Sequence, residues 1–339
     1  MTQSRGIFFL FTTVLLIVLI LLFLFSFLIG TVPITLSTVI SIITAPLTHA
    51  PHESNQALEQ IILGVRLPQI ILAILVGAAL SVAGASYQTI FKNPMVSSDI
   101  LGVSAGAGFC ASLAMLMNST WLVIQISAFI GGIGAVTLSW LISRFFGRHN
   151  LTILILAGVV VGSFFQALIS VIKTFADTDN VLPSITFWLM GSLSKGKIED
   201  VYVLLPAIFL SMFLLFIFRN HINVLAAGND EARAMGVNVA LVKAIVVVAA
   251  TLMCACAVSV AGIIGWIGMV VPHIARSVCG ASYARLLPTS FLIGGILLLL
   301  IHDLIRASLA DLPLGVLTAL IGTPLFVVLL IRTRKEWLS

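Results

Sequence analysis

Residues 240–278 read ALVKAIVVVAATLMCACAVSVAGIIGWIGMVVPHIARSV and are apolar almost throughout. A membrane-spanning helix needs only about 20 such residues, so this stretch is too long for a single crossing. Gly262, Gly265 and Gly268 lie inside it and offer a place where one helix can end and the next can begin. The stretch therefore predicts two consecutive spans of an all-α, polytopic membrane protein.

The composition of the whole chain agrees with this interpretation. Of the 339 residues, 60% are hydrophobic and only 9% are charged, and the mean hydropathy is +1.21. Soluble domains carry about 25% charged residues, because they must cover a surface that faces water. Most of the surface of this chain is therefore expected to face membrane lipid. The net charge of +5 does not indicate nucleic-acid binding, since the basic residues lie in short loops between apolar runs.

Working outward from this stretch, ten apolar runs are candidates for crossing the membrane. An even number of spans places both termini on one side, and most of the 17 Lys and Arg residues then fall on that side. By the positive-inside rule, both termini are predicted to be cytoplasmic. The predicted spans lie at 7–29, 67–90, 100–117, 121–146, 151–175, 201–218, 240–261, 262–278, 287–309 and 314–331.

Short connections between most of these runs predict one transmembrane domain that covers residues 1–339. Three connections are long enough to have roles of their own, and the first of them is an outer loop at 46–66. The outer connection at 176–200 contains an amphipathic stretch, which predicts a helix at about 183–193. The largest inner connection spans residues 219–239.

Motifs for ATP binding, metal binding and catalysis are weak in this sequence. Segment 191–197, GSLSKGK, imitates a phosphate-binding loop, but Ile198 follows where that motif needs Ser or Thr. The four cysteines have no metal-site spacing, so neither a metal site nor a bound cofactor is predicted. The chain is expected not to be an enzyme. A stand-alone secondary transporter is a distant alternative. Such transporters usually carry ionisable residues inside their spans for ion coupling, and the best candidate pair here is Asp303 with Arg306.

A polar stripe runs along the fifth predicted span. Its members are spaced three, four and three residues apart, so they share one face of a helix. Polar groups are costly in hydrocarbon, and this face is therefore expected to line a watery path or to bond a neighbouring helix. The stripe consists of Ser163, Gln166, Ser170 and Lys173.

The inner connection contains NVLAAGNDEARAMGV at 223–237, which predicts a short helix from Asp230 to Met235. Asn229 is placed to cap the start of this helix, and Gly236 is expected to end it. Such an organised polar element indicates a docking surface for a cytoplasmic partner. The residues predicted for this contact are Gly228, Asp230, Glu231, Arg233 and Gly236.

Several segments between Arg66 and Arg332 closely resemble those of the FecCD family, whose members are permeases of ABC importers for ferric siderophores, haem, cobalamin and, in some cases, molybdate. The 223–237 loop is one such segment, and the order and spacing of the set carry the resemblance. The others are RLP at 66–68, GAAL at 77–80, NPM at 93–95, LGVSAGA at 101–107, LAG at 156–158, FWLMGSL at 187–193, GWIGMVVPHIAR at 265–276, LPLGV at 312–316 and GTP at 322–324.

The resemblance implies a larger assembly in a bacterial or archaeal cytoplasmic membrane. It would contain two permease subunits of ten spans each, with a homodimer favoured, and two cytoplasmic ABC ATPases that bind ATP and Mg²⁺. A periplasmic or lipid-anchored binding protein would deliver the substrate. An iron chelate such as a ferric siderophore or haem is the leading substrate, and molybdate, tungstate and cobalamin are alternatives.

The resemblance also implies roles at the inner end. Residues 228–237 would take the stroke from the ATPases. Asn93, Pro94 and Met95 match the family's inner gate between spans two and three, and Thr152 falls near its other gate loop.

Further roles follow for the middle and outer end. Span five is a pathway helix in the family, which favours the path as the surrounding of the polar stripe. Arg66 and Arg306 match outer arginines that pair with glutamates of the binding protein. Gln69 stands where the family often has a second arginine.

Overall fold

The computed structural model describes residues 2–48, 56–147, 151–308 and 312–337, and helices make up most of these parts. Apolar runs in lipid form helices because every backbone polar group must find its partner within the segment. In chain order the helices are α1 (Thr2–Ser26), α2 (Leu36–Thr48), α3 (Gln56–Glu59), α4 (Leu67–Phe91), α5 (Val103–Leu116), α6 (Trp121–Gly147), α7 (Leu151–Phe175), α8 (Val181–Leu189), α9 (Ile198–Ala227), α10 (Asn229–Ala234), α11 (Val239–Ala261), α12 (Ile267–Cys279), α13 (Tyr283–Ser308) and α14 (Leu314–Trp337), with a π-helical segment, Gln60–Arg66, between α3 and α4.

Within the described residues, seven helical stretches are long and apolar enough to cross a membrane. They are α1, the continuous stretch from α3 to α4, α6, α7, α9, α11 and α13. Three shorter apolar helices, α5, α12 and α14, coincide with the remaining predicted spans. The prediction of an all-α polytopic membrane protein is confirmed. The count of ten crossings and the side of the termini stay predictions.

The predicted break inside 240–278 is confirmed. Helix α11 ends at Ala261, and Gly262 follows with a φ of +69°, a left-handed conformation that suits glycine. A Cβ atom at Gly262 would lie 2.3 Å from the Trp188 carbonyl oxygen, so the close approach also requires glycine. Helix α12 begins at Ile267 after this irregular segment.

At this break the Ala261 carbonyl finds its partner in segment 190–192, which also pairs with the start of α14. The Ser192 amide donates to the carbonyl of Ala261, at 2.8 Å. The amides of Leu314 and Gly315 donate to the carbonyls of Gly191 and Met190, at 2.8 and 2.9 Å. Non-helical backbone is tolerated in a membrane bundle where protein surrounds it in this way.

The predicted outer helix differs from expectation in its bounds. It spans Val181–Leu189 as α8, so it begins two residues earlier and ends four residues earlier than predicted. Gly191 adopts a φ of +74° and turns the chain toward the break after α11. The pairing of segment 190–192 with the starts and ends of other helices thus competes with continuation of α8.

The two ends of the bundle differ in the loops that they hold. The Arg66 end includes the loop after α1 and the start of α9, joined to α4 by the Gln69 amide, which donates to the Ser194 carbonyl at 3.0 Å. The Asn93 end includes the loop after α4 and the helix α10. There the Lys92 ammonium donates to the Ala227 carbonyl, at 3.2 Å.

Candidate functional site

The predicted gate segment forms a tight turn after α4. Lys92 ends that helix in a left-handed conformation, with a φ of +50°. The Asn93 side-chain oxygen then accepts the Met95 amide at 2.9 Å, which is a turn that asparagine commonly forms. The Met95 side chain is 54% exposed. The turn therefore presents a flexible apolar side chain at the Asn93 end.

Polar side chains from two helices hold this turn in place. The Gln88 amide group donates to the carbonyls of Val96, at 3.0 Å, and Met269, at 3.2 Å. Its oxygen accepts from the Arg276 guanidinium at 2.5 Å. The His273 Nε2 atom lies 2.8 Å from the Pro94 carbonyl oxygen. The gate turn is thus bonded to both α4 and α12.

The far end of the same loop packs against α7. A Cβ atom at Gly158 would lie 2.4 Å from the Ile100 carbonyl oxygen, so the two backbones are in direct contact. Thr152, the fourth predicted gate residue, lies in the first turn of α7 and is exposed. It sits almost two turns before Gly158 along the helix. The gate role of these residues stays a prediction.

The polar stripe of α7 lies on a face that the other described residues leave uncovered. Ser163, Gln166 and Ser170 are exposed, whereas Val161 and Ile169 on the other side are buried. The Ser163 hydroxyl donates to the Val159 carbonyl at 2.9 Å, and the Ser170 hydroxyl donates to the Gln166 carbonyl at 3.0 Å.

Both hydroxyls donate to carbonyls of their own helix, and within the described parts of the chain they do not join α7 to a neighbouring helix. Lys173, the last member of the stripe, is half-buried. Apolar side chains share the exposed face, and Phe164 is 56% exposed. The stripe thus lies on a face that the described residues leave open, and lining of the path stays a prediction.

The predicted coupling helix is present as α10, with different bounds and a different cap. Gly228, rather than Asn229, is the N-cap residue, and Asn229 already belongs to the helix. Gly236 has a φ of +77°. Its amide donates to the Arg233 carbonyl and the next amide, of Val237, donates to the Ala232 carbonyl, both at 2.9 Å. This Schellman arrangement closes the helix at a fixed point.

The polar side chains of α10 point away from the bundle. Ala232 is fully buried and anchors the helix, while Asp230, Glu231 and Arg233 are exposed. Asp230 and Arg233 form an ion pair at 3.2 Å. Their side chains are 92% and 69% exposed, so the pair contributes little to stability. The charged side chains of α10 therefore lie at the surface of the chain.

Both predicted docking arginines are engaged within the chain. Arg66 is 3% exposed, and its guanidinium donates to the carbonyls of Phe27 and Val32, the latter at 2.5 Å. Arg306 donates to the Ile29 carbonyl at 2.7 Å and lies 3.5 Å from the Asp303 carboxylate. This geometry favours the interpretation of both arginines as anchors for the loop after α1.

Comparison with known proteins defines the family. The model of the FecCD transport family matches residues 17–332, which is most of the chain. The protein belongs to the FecCD family. This confirms the resemblance carried by the segments between Arg66 and Arg332.

Known relatives agree with this assignment. The chain is 36% identical to the molybdate import system permease protein MolB of Haemophilus influenzae, over 84% of each chain. It is 39% identical to a probable iron chelatin transport system permease protein of Helicobacter pylori, over 84% of this chain and 86% of that one. The shared function of the family is transport, and this chain is an ABC importer permease of the FecCD type.

A solved structure supports the fold. An ABC transporter of the metal-chelate type in an inward-facing conformation superposes with a TM-score of 0.84, at 33% identity. The match covers 95% of this chain and 99% of the other. The helical arrangement described above is therefore that of an ABC importer permease.

Three residues that contact the turn at 93–95 were not predicted as functional from the sequence. Gln88, His273 and Arg276 lie within or beside apolar runs, and their contacts with the gate turn arise only when α4 and α12 meet. The available signal was weak. A Gln inside the apolar run 67–90 requires polar partners, but the sequence does not say which ones.

Proposed function

We propose that this FecCD permease imports an iron chelate, such as a ferric siderophore or haem, or a related metal complex into the cytoplasm. It would work as one of two identical subunits with two cytoplasmic ABC ATPases and a periplasmic or lipid-anchored binding protein. The observation that carries the proposal is the similarity over 95% of the chain to a transporter of the metal-chelate type. The iron chelatin permease among its relatives supports the same substrate class.

In the proposed topology, ten helices cross a bacterial or archaeal cytoplasmic membrane and the Asn93 end is cytoplasmic. The exposed acids and arginine of α10 would then meet the ATPase, which binds ATP and Mg²⁺ in place of this chain. A rigid element suits this role, because the Schellman closure at Gly236 fixes where α10 ends. Ala232 fastens the same helix to the bundle.

A hydrogen bond offers a short mechanical route from α10 to the proposed gate. The Ala227 carbonyl directly precedes Gly228, the N-cap of α10, and accepts from the Lys92 ammonium at 3.2 Å. Lys92 in turn directly precedes the gate turn at Asn93. We infer that movement of α10 is passed to this turn and opens the path along the stripe of α7. Alternating access by such a rigid shift is common in transporters.

Molybdate or tungstate is the second candidate substrate, because the MolB relative is similar over 84% of both chains. Cobalamin stays a third alternative from the family resemblance. The substrate is decided by transport into proteoliposomes that contain the permease, its ATPase and its binding protein. We expect ATP-dependent uptake of a ferric chelate that excess molybdate and cobalamin do not reduce.

Two outcomes would contradict the proposal in different ways. Uptake of molybdate alone would overturn the iron chelate and keep the ABC importer. Uptake that needs a proton gradient and proceeds without the ATPase would instead favour the secondary-transporter alternative. A Walker-motif variant of the ATPase is the matched control, since it removes hydrolysis without changing the permease.

A further inference from the structure

A cleft of about 1020 Å³ opens beside α10 at the Asn93 end of the bundle. It is bounded by α6, the first turn of α7, α10 and α11. The walls away from the Asn93 end are mostly apolar and include Val136, Leu154, Val247 and Leu252, with the hydroxyl groups of Thr137 and Thr251 among them. Trp140 and Val248 are 43% and 61% exposed, so the cleft is open on the outer surface of the bundle.

Positive charge gathers at one end of this cleft. Arg144, Arg233 and Lys243 line it, and no Asp or Glu is among the described residues of the lining. The Arg144 guanidinium lies 5.3 Å from the centre of the Trp140 ring, which holds it over the apolar wall.

The described residues supply little negative charge to balance this cluster. Asp230 pairs with Arg233, but its side chain is 92% exposed and lies outside the cleft lining. Arg144 and Lys243 make no ion pair within the described parts of the chain. An anionic group from outside would therefore meet two uncompensated cations.

The depth of the cleft fits one leaflet of a bilayer. Lys243 and Leu252 both line it, and they are nine positions apart on α11, which is about 14 Å along a helix. Half of a hydrocarbon core is about 15 Å. The cations thus lie at one level and the apolar walls extend from them to about the middle of the membrane.

We propose that this cleft binds one anionic phospholipid, with the headgroup phosphate on Arg144 and Lys243 and an acyl chain along α6 and α11. Basic pockets between membrane helices are suited to such headgroups. A soluble partner such as an ATPase could reach the cations but not the apolar walls within the helices. The site goes beyond the proposed transport function, and it places a lipid phosphate beside Arg233 of the coupling helix.

The test uses Trp140 as a built-in reporter. The purified full-length permease is titrated with brominated phosphatidylglycerol or brominated phosphatidylcholine, and tryptophan fluorescence is followed. The variant Trp140→Phe identifies the Trp140 part of the signal. We expect the phosphatidylglycerol to quench Trp140 at concentrations where phosphatidylcholine does not.

Removal of the cations is the second arm. The double variant Arg144→Gln, Lys243→Gln is expected to bind the anionic lipid about 30-fold more weakly, which corresponds to about 1 kcal/mol per cation. Arg219→Gln is the matched control, because Arg219 lies on α9 over the Phe216 ring and outside the cleft lining. This control should bind the lipid as the unaltered chain does.

Several results would overturn the proposal. Equal quenching of the unaltered chain by the two lipids would contradict a preference for an anionic headgroup. This comparison needs no variant. Competition by glycerol phosphate at equal concentration would indicate a site for soluble phosphate. If the double variant kept lipid quenching and lost ATPase copurification, the cleft would be a protein-binding surface.

Discussion

At the scale of single residues, a few polar side chains organise both ends of this membrane protein. Gln88 is 2% exposed and bonds two carbonyls of other segments as well as Arg276. Arg66 holds two carbonyls of the loop after α1. Buried polar groups are costly without partners, so each of these contacts also constrains the loop that supplies the carbonyl.

We expect Gln88→Glu to loosen the gate turn. A carboxylate keeps the contact with Arg276 but cannot donate to the Val96 and Met269 carbonyls, and each buried acceptor left unpaired costs about 1–3 kcal/mol. A cysteine placed at Met95 should then react faster with a thiol reagent in a cysteine-free background. Thr89→Val is the control, because the Thr89 hydroxyl bonds the Ala85 carbonyl of its own helix. Unchanged labelling would exclude Gln88 as the residue that holds the turn.

Arg66→Lys separates anchoring from docking of a binding protein. Lysine keeps the charge, but its compact ammonium lacks the planar fork that reaches the Phe27 and Val32 carbonyls together. If anchoring is the role, Arg66→Lys lowers the melting temperature of the purified permease and lowers its affinity for the binding protein as well.

The docking prediction requires a different pattern. The double variant Arg66→Glu, Arg306→Glu should then lose about tenfold in affinity for the binding protein, and this loss should be smaller at high salt. A normal affinity in that double variant would rule docking out.

At the scale of elements, glycine contacts set the distances between helices. A Cβ atom at Gly77 would lie 2.2 Å from the Gly294 carbonyl oxygen of α13. One at Gly84 would lie 1.7 Å from the Gly268 carbonyl oxygen of α12. Helices in lipid associate mainly through such close packing, because apolar side chains gain little from leaving a lipid surrounding.

Gly84→Ala should therefore destabilise the permease more than an alanine at an open glycine. The added methyl group meets backbone that cannot move alone, and overpacking of this kind costs about 1–3 kcal/mol. A Cβ atom at Gly134 of α6 would meet none of the described residues within 4 Å, so Gly134→Ala should be neutral or slightly stabilising. Thermal unfolding of the two variants in the same detergent measures the difference. Equal melting temperatures would contradict a tight α4–α12 contact.

The stripe of α7 is tested by single cysteines in the assembled transporter. Cysteines at Ser163, Gln166 and Ser170 should react with a water-soluble thiol reagent when the path is open to the outside. Cysteines at Val161 and Ile169 should stay protected, because those positions are 1% and 2% exposed within the chain itself. Labelling of the stripe by a lipid-soluble reagent alone would show that this face meets lipid instead of water.

At the scale of the whole molecule, the Asn93 end brings the coupling helix, the gate turn and the cation-lined cleft together. Lys92 bonds Ala227 beside α10, and Arg233 of α10 also lines the cleft. One hydrogen bond thus joins the residue before the N-cap of α10 to the residue before the turn at 93–95.

Replacement of Glu231 and Arg233 by alanine is expected to uncouple transport without unfolding the permease. Both side chains are exposed, and Ala232 and the Gly236 turn keep α10 in place. Substrate uptake should fall at least tenfold, while the melting temperature stays within about 2 °C of the unaltered chain. Arg219→Ala, at the same end, serves as the control for loss of an arginine. Normal uptake together with normal ATPase copurification would exclude α10 as the coupling element.

The sequence alone determined the class of this protein and the position of its longer apolar helices. It did not predict α2, and residues 56–66 are helical although they were expected to belong to an outer loop at 46–66. Apolar length is a local property, so all ten predicted runs overlap helices, and the break inside 240–278 falls at the predicted glycine. The family could also be assigned from the sequence, because segments such as NPM at 93–95 occur in the same order as in the FecCD family. The short helix of the inner loop was predicted as well, although its cap is Gly228 instead of Asn229.

Only the tertiary structure decided which polar groups meet. The contacts of Gln88 with Met269 and of Lys92 with Ala227 join residues that are far apart in the chain, and helical periodicity carries no information about such pairs. The burial of Arg66 against the loop after α1 was hidden for the same reason. Helix α8 ends early because the backbone of segment 190–192 pairs with distant helix ends instead of continuing the helix. In each case the free energy comes from partners that the fold brings together, because a buried donor or acceptor must be satisfied wherever a partner lies.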